Sequence, residues 1–350
     1  MSKYFEQLNS IMKEYFNILS PEIPEFLEEY IETPEMQRIA KIGNFCGTDY
    51  TKIFNNKFYC SRLDHSVGVA LIIWHFTKDK KQTLAGLFHD IATPCFVHCI
   101  DFMNGDHEKQ ESTEELTTKI IQNSKEIMQL LERDGIKLEE VNDYHIYPIA
   151  DNDTPKLSAD RFEYTFGSGM VLRVVWTLDK IREIYNNVTI LENEEGIKEL
   201  GFKDEKVAEK YITIIRELWP AWFDNDDRIT MQFIADTCKK MSEKGYLTVD
   251  DLYNLSEAEV INKIENCKDT YIAESFKKFR NSTKIYESDE PVEDKYCINI
   301  KVKRRYVIPL TKTENGVKRI NQVSEIAKQK IEDYLAYEVK PYAYLDFDFK

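Results

Sequence analysis

The sequence predicts a mainly α-helical protein that ends in a small α+β region. Three observations carry that reading. Through most of residues 1–285, apolar side chains recur at helical spacing. The stretch "KYCINIKVKRRYVIPL", 295–310, instead alternates apolar and polar residues, as a strand with one wet face does. Between the two, the charged run "ESDEPVED", 287–294, marks a boundary between a helical body, 1–285, and a C-terminal region, 286–350, packed on it.

The elements follow in chain order. "PEFLEEYIETPEMQRIAKI" has helical periodicity, with Pro24 and Pro34 placed where helices start. Residues 44–60 read as an irregular loop with aromatic anchors. Helices are expected over 62–77 and 81–90, and Pro94 ends or kinks the second. The segment 108–135 is polar and amphipathic, suited to two helical pieces. Pro155 and Ser158 mark the start of a helix carrying Asp160 and Tyr164 one turn apart. Helical patterns continue over 203–218, 227–244, 250–267 and 270–280. A helix near 321–337 and a strand-like tail, "AYLDFDF", close the chain.

At 350 residues the chain is long enough to bury a water-restricted site. Its formal net charge of −15 argues against broad binding of nucleic acid or anionic membrane, where basic excess is the footprint. A small anionic substrate met by a few local cations stays open. The opening residues lack the apolar core of a signal peptide, and the apolar run "VGVALIIWHF" is shorter than the roughly 20 residues of a membrane span. Seven scattered cysteines fit reduced thiols, so a cytoplasmic location is expected.

Only six histidines occur, and they are not spread evenly. "LAGLFHDIATPCFVHCID", 84–101, holds His89, Asp90, His98 and Asp101, and "SRLDHSVGVA", 61–70, holds Arg62 and His65. Taken in chain order, His65, His89-Asp90 and Asp160 offer two imidazoles and two carboxylates, a mixed N/O set suited to Mn, Fe, Ni, Co or Zn, with Mg less natural.

These residues carry a resemblance. The order His65, His89-Asp90, Asp160 resembles the H…HD…D metal signature of the HD-domain phosphohydrolase superfamily. The likeness extends to the branch of deoxynucleoside triphosphate triphosphohydrolases. "RLDH" matches that branch's phosphate-contacting Arg before the first His, and "HDIATPCFVHCID" matches the turn after its His-Asp pair. "DHEKQES" supplies a later His107-Glu108 pair, and "ADRFEY" fits the string around the last metal Asp. The segment "IETPEMQRIAKI" is similar to the stretch before the first motif, and "GYLTVDDLYNLSEAEVINKI" matches more loosely.

The resemblance implies an HD-type helical bundle in which His65, His89, Asp90 and Asp160 hold one divalent metal ion. It implies a nucleotide substrate, with a dNTP cleaved to deoxynucleoside and triphosphate, and a homo-oligomer. Alternatives are an HD-type nucleotidase or phosphodiesterase on mono- or cyclic nucleotides, and a non-catalytic nucleotide sensor. Under this reading Arg62 and Arg161 clamp phosphate, and Tyr164 reaches phosphate or sugar. His98 serves as general acid, with Asp101, three residues on, and His107 supporting it. One departure stands out: the branch has a His four residues after the first of the His-Asp pair, and here that position is Thr93.

Other features have blander readings. Cys95 and Cys99 flank His98 but lack a second spaced pair for a structural zinc. His75 and His145 read as structural. The basic run "KVKRRYV", 301–307, reads first as one solvated strand face and second as a nucleotide-phosphate contact at a regulatory site or subunit interface.

Overall fold

The structure, a computed structural model, describes residues 3–108 and 116–350. It is mainly helical, as expected. The Arg62–Thr77 helix is its spine: every residue from Leu63 to Ile73 is buried, so this helix is enclosed on all sides. A helix buried all round is a core element rather than an amphipathic cover. Lys80–Phe88 lies against it with close backbone approach, because a Cβ on Gly86 would meet Ile73 Cδ1 at 2.2 Å. Ala159–Val171 is the third core helix, capped by Ser158, whose hydroxyl accepts from the Arg161 amide. Helices Ser10–Leu19, Glu25–Ile31 and Pro34–Ile39 enter the same core, with Pro34 in the first helical turn.

Strands are few and short. β1 (Val188–Glu192) and β2 (Lys198–Phe202) form a hairpin that the sequence reading passes over; Val188 sits opposite Phe202 and Glu192 opposite Lys198. β3 (Tyr286–Ser288), β4 (Tyr296–Ile298), β5 (Leu310–Thr313), β6 (Gly316–Arg319) and β7 (Tyr342–Leu345) come from the last quarter. They make two sheets, ordered β1-β2-β5-β6 and β3-β7-β4. In the first, β2 and β5 run parallel, with Gly201 opposite Leu310. The C-terminal region is therefore stitched into the body by main-chain hydrogen bonds.

Two apolar clusters form the interior. One gathers residues between Tyr4 and Trp219 with Val307, Ile320 and Tyr334. The other gathers Cys95, Phe96, Cys99, Ile100 and Phe102, residues between Phe223 and Val302, and the tail through Leu345 and Phe349. Residues 286–350 contribute to both.

Three expected elements differ from the reading. The helix near 321–337 is a short piece, Ile320–Val323, and a longer one, Glu325–Leu335, capped by Ser324. The helix over 250–267 is two helices, Val249–Asn254 and Glu257–Glu265, because Ser256 caps the second through its hydroxyl and Glu259. The strand over 295–310 exists only at its ends, as β4 and the start of β5; residues 299–309 lie in no strand. That strap is held by side chains instead. Arg228 donates to the Ile300 carbonyl at 3.1 Å, and Arg304 donates to the carbonyls of Tyr334 at 2.8 Å and Tyr337 at 2.5 Å. Arg304 thus satisfies the C-terminal end of the Glu325–Leu335 helix, where orphan carbonyls favour a cation. No helix of the described residues is long and apolar enough to cross a membrane.

Candidate metal centre and its cavity

Three helix ends deliver the four residues expected as ligands. His65 lies in the first turn of the spine helix, which Ser61 and Asp64 start as a reciprocal capping box. His89 caps the C-terminal end of Lys80–Phe88, with Asp90 next. Asp160 lies in the first turn of Ala159–Val171.

Their polar atoms converge. His65 Nε2 is 3.0 Å from Asp160 Oδ1 and 3.5 Å from Asp90 Oδ2. His89 Nε2 is 2.9 Å from Asp90 Oδ2, 3.7 Å from Asp160 Oδ1 and 3.2 Å from His65 Nε2. Ligands bound at roughly 2.1 Å in adjacent positions around one metal ion stand about 3 Å apart, and this spacing is compatible with such a shell.

The hydrogen positions sharpen the point. His65 Nδ1 faces the Glu163 carboxylate, and His89 Nδ1 faces the Gly86 carbonyl at 2.7 Å. Each Nδ1 therefore carries the hydrogen of the neutral ring, leaving both Nε2 atoms as lone pairs. Asp90 Oδ2 is buried without a hydrogen bond, since Arg62 Nε lies 2.8 Å away but off the hydrogen-bond line. In the neutral rings these lone pairs aim at one point, an arrangement that fits a cation. His65, His89 and Asp160 form a cluster able to hold a divalent metal ion.

The titration behaviour agrees. Burial opposes a charged His65, but Glu163 and Asp160 outweigh it and push its pKa up to about 10. His89 is raised against its own burial by Asp90. Burial favours protonating Asp90 and Asp160, yet Arg62 and His89 hold the first well below the carboxylate range, and His65 lowers the second. The carboxylates of the centre draw positive charge toward it, a proton on the imidazoles or a cation in its place.

The centre opens into a cavity of about 470 Å³, within the range that holds a small-molecule ligand. Arg62, Arg161, Tyr164 and His98 all line it. Arg62 donates to Asn44 Oδ1 at 2.7 Å and Asp90 Oδ1 at 3.1 Å. Arg161 donates to Asn152 Oδ1 at 2.6 Å and pairs with Asp151 at 3.4 Å. Tyr164 stands edge-on to Trp222 with ring centres 5.0 Å apart. His98 is backed by the fully buried Asp101, Nδ1 to Oδ2 at 2.8 Å. Burial and Arg305 lower the His98 pKa below the usual imidazole value, against the pull of Asp101. Thr93 donates to Asp90 Oδ1 at 3.2 Å.

His107 is placed elsewhere. It meets Gln232 at 3.0 Å and the edge of Phe102, in a separate surface cavity, while Glu108 is exposed beside residues 109–115, which lie outside the description. His145 lines the main cavity between Asp143 and Asp151, whereas the sequence reading made it structural. His75 does pack against Phe76 and Tyr185. Cys95 and Cys99 face carbonyl oxygens of Leu255 and Cys46.

Several residues at and behind the site escaped the sequence reading. Glu163, 2% exposed, orients His65 and accepts from Tyr15 at 3.0 Å. Its place three residues after Asp160, on the same face, was the available signal. Lys303 and Arg305 of the basic run line the cavity, which corrects the solvated-face reading of those two positions. Alternation along the strap explains it, since Arg304 between them turns to the helix end. Half-buried Asp227, whose pKa desolvation raises to about 7, lies near Arg305.

A mainly helical fold with a His-His-Asp centre facing a cavity defines the class, and comparison narrows it. No family model matches the chain. The uncharacterized protein YdhJ of Bacillus subtilis is 24% identical over 316 residues, 87% of this chain and 91% of its own. The metal-dependent phosphohydrolase cns2 of Cordyceps militaris is 22% identical over 246 residues, 67% of this chain and 66% of its own. A hypothetical protein from Aquifex aeolicus shares the fold at a TM-score of 0.64 and 17% identity, covering 93% of each chain. A phosphohydrolase from Bacteroides thetaiotaomicron shares it at a TM-score of 0.61 and 14% identity, covering 92% of this chain and 96% of its own. The relative and neighbour that carry functional names are both named phosphohydrolases, and the first of them metal-dependent.

Proposed function

We propose that this chain is an HD-type metal-dependent phosphohydrolase acting on nucleotides, cleaving a dNTP to deoxynucleoside and triphosphate. The observation that carries the reading is the set of converging lone pairs on His65, His89, Asp90 and Asp160, beside a cavity lined by Arg62, Arg161, Lys303 and Arg305. A divalent ion held by the four ligands supplies Lewis acidity toward a phosphate oxygen and brings the pKa of water toward neutrality.

The chain's own residues do the rest. The guanidinium groups neutralise and orient phosphate oxygens. Water adds at phosphorus, the bond from phosphorus to the 5′ oxygen breaks, and His98 gives the departing oxygen its proton. Asp101 holds the ring and stabilises its charged form. The lowered His98 pKa leaves the resting ring neutral, and a phosphate anion beside it works in the opposite sense, favouring the proton. Tyr164 and Trp222 offer aromatic surface to sugar or base.

The test is a matrix of metal ions against nucleotides with products resolved by ion exchange. Triphosphate release supports the reading; orthophosphate or a linear nucleotide moves the chain to the nucleotidase or phosphodiesterase alternative. Metal-loaded protein that turns over no nucleotide overturns the enzymatic reading. Asp90→Ala abolishes both metal binding and turnover if the centre is assigned correctly.

A further inference from the structure

Glu257 is fully buried, far in sequence from every residue of the metal centre, and has no part in the chemistry above. Its carboxylate nevertheless reaches two segments of the cavity wall. Oε1 accepts the Phe96 amide at 2.9 Å, and Oε2 accepts the Gly43 amide at 3.0 Å. The Tyr50 hydroxyl hydrogen-bonds the same carboxylate. Three donors explain how a buried carboxylate is accommodated.

Each amide leads to a cavity residue. Phe96 begins a turn in which Phe96 and Val97 have φ of 63° and 52°, immediately before His98. Positive φ is unfavourable for an aromatic residue and more so for a β-branched one, so such a turn persists only where its surroundings hold it. The neighbouring residues tie it to the same region: Cys95 donates its amide to the Leu252 carbonyl at 2.8 Å and its thiol to the Leu255 carbonyl at 3.0 Å. On the other side, Gly43 precedes Asn44, whose Oδ1 accepts from Arg62. The Arg62 amide in turn donates to the Ile42 carbonyl at 2.8 Å.

We propose that Glu257 is a positioning residue of this site, a single carboxylate that fixes the Arg62 guanidinium through Gly43-Asn44 and the His98 imidazole through the Phe96-Val97 turn. It sets the spacing between the phosphate clamp and the proton donor while touching neither. The inference rests on the reading of His98 and Arg62 given under the proposed function.

Full-length Glu257→Gln and Glu257→Asp variants test it. Glutamine keeps one acceptor but turns an amide N–H toward a second donor; aspartate keeps the charge one methylene short. In both, kcat falls, by about 10²-fold where the displacement approaches 1 Å. Affinity for Mn²⁺ stays within twofold, since none of the four metal ligands touches Glu257. The imidazole ¹⁵N signals of His98 in the histidine-labelled protein shift, whether or not a substrate is known. Unchanged kcat and unchanged His98 signals in both variants overturn the inference. Mn²⁺ affinity falling in step with kcat also overturns it, because that marks general loosening. Shifted His98 signals in a protein that hydrolyses no nucleotide leave Glu257 as the holder of the turn and remove the nucleotide reading alone.

Discussion

His65 and His89 face each other Nε2 to Nε2 at 3.2 Å, and neither nitrogen has a hydrogen to share in the neutral ring. Two lone pairs that close repel unless something positive sits between them or one ring takes a proton. The metal-free protein takes the second course, with His65 protonated up to about pH 10.

Metal binding must displace that proton, so affinity depends on pH. Between pH 6.5 and 10 the apparent affinity for Mn²⁺ rises by up to tenfold per pH unit, and binding releases protons. Stability follows the same sign. The raised His65 pKa stabilises the metal-free fold fully below about pH 6.5 and loses that effect as pH climbs through about 10. The metal-loaded fold has no such proton to lose, so its Tm advantage over chelator-treated protein widens from pH 6.5 to 9. Calorimetry in buffers of different ionisation enthalpy checks the proton count; an affinity flat across this range contradicts it.

Glu163 holds His65 from behind, and supporting carboxylates of this kind typically contribute 10- to 100-fold in metal affinity. Glu163→Gln weakens Mn²⁺ binding by that order. Gly68→Ala does the same by another route, since a Cβ there would lie 2.7 Å from Glu163 Cγ. Metal titration of both variants decides the matter, and wild-type affinity in each speaks against an orienting role.

His98→Asn retains the metal and loses turnover, with kcat down about 10²- to 10⁴-fold, the usual size of a lost general acid. Metal content by elemental analysis and single-turnover rates separate the two effects. Undiminished turnover removes His98 from the chemistry.

Arg305→Ala raises KM for a phosphorylated substrate more than it lowers kcat, and Arg305→Lys restores part of the loss. The same change lifts the His98 pKa, because Arg305 is one cause of its depression. Histidine NMR titration reads that shift directly.

What could be read from the chain alone divides along a physical line. Helix starts at Arg62, Ala159 and Thr270 announce themselves through local caps at Ser61, Ser158 and Asp269, which need no tertiary context. The spacing of His65, His89-Asp90 and Asp160 was visible as a resemblance, and the fold brings those residues to one point. Glu163 and Glu257 were hidden because their work consists of contacts with partners 98 and 161 residues away. The β1-β2 hairpin was hidden because its edge is completed by β5, more than a hundred residues later. The strap at 299–309 deceived by periodicity: alternation there sends Lys303 and Arg305 to a cavity and Arg304 to a helix end, with no sheet beneath.

That strap also dates the site within synthesis. Domains fold from the N-terminal side as the ribosome delivers them. The residues of the metal centre emerge before Lys303, Arg305 and the β5 strand. A chain stopped before residue 303 lacks one cationic wall of the cavity, and with it the side chains that Val307, Ile320 and Tyr334 add to the first apolar cluster.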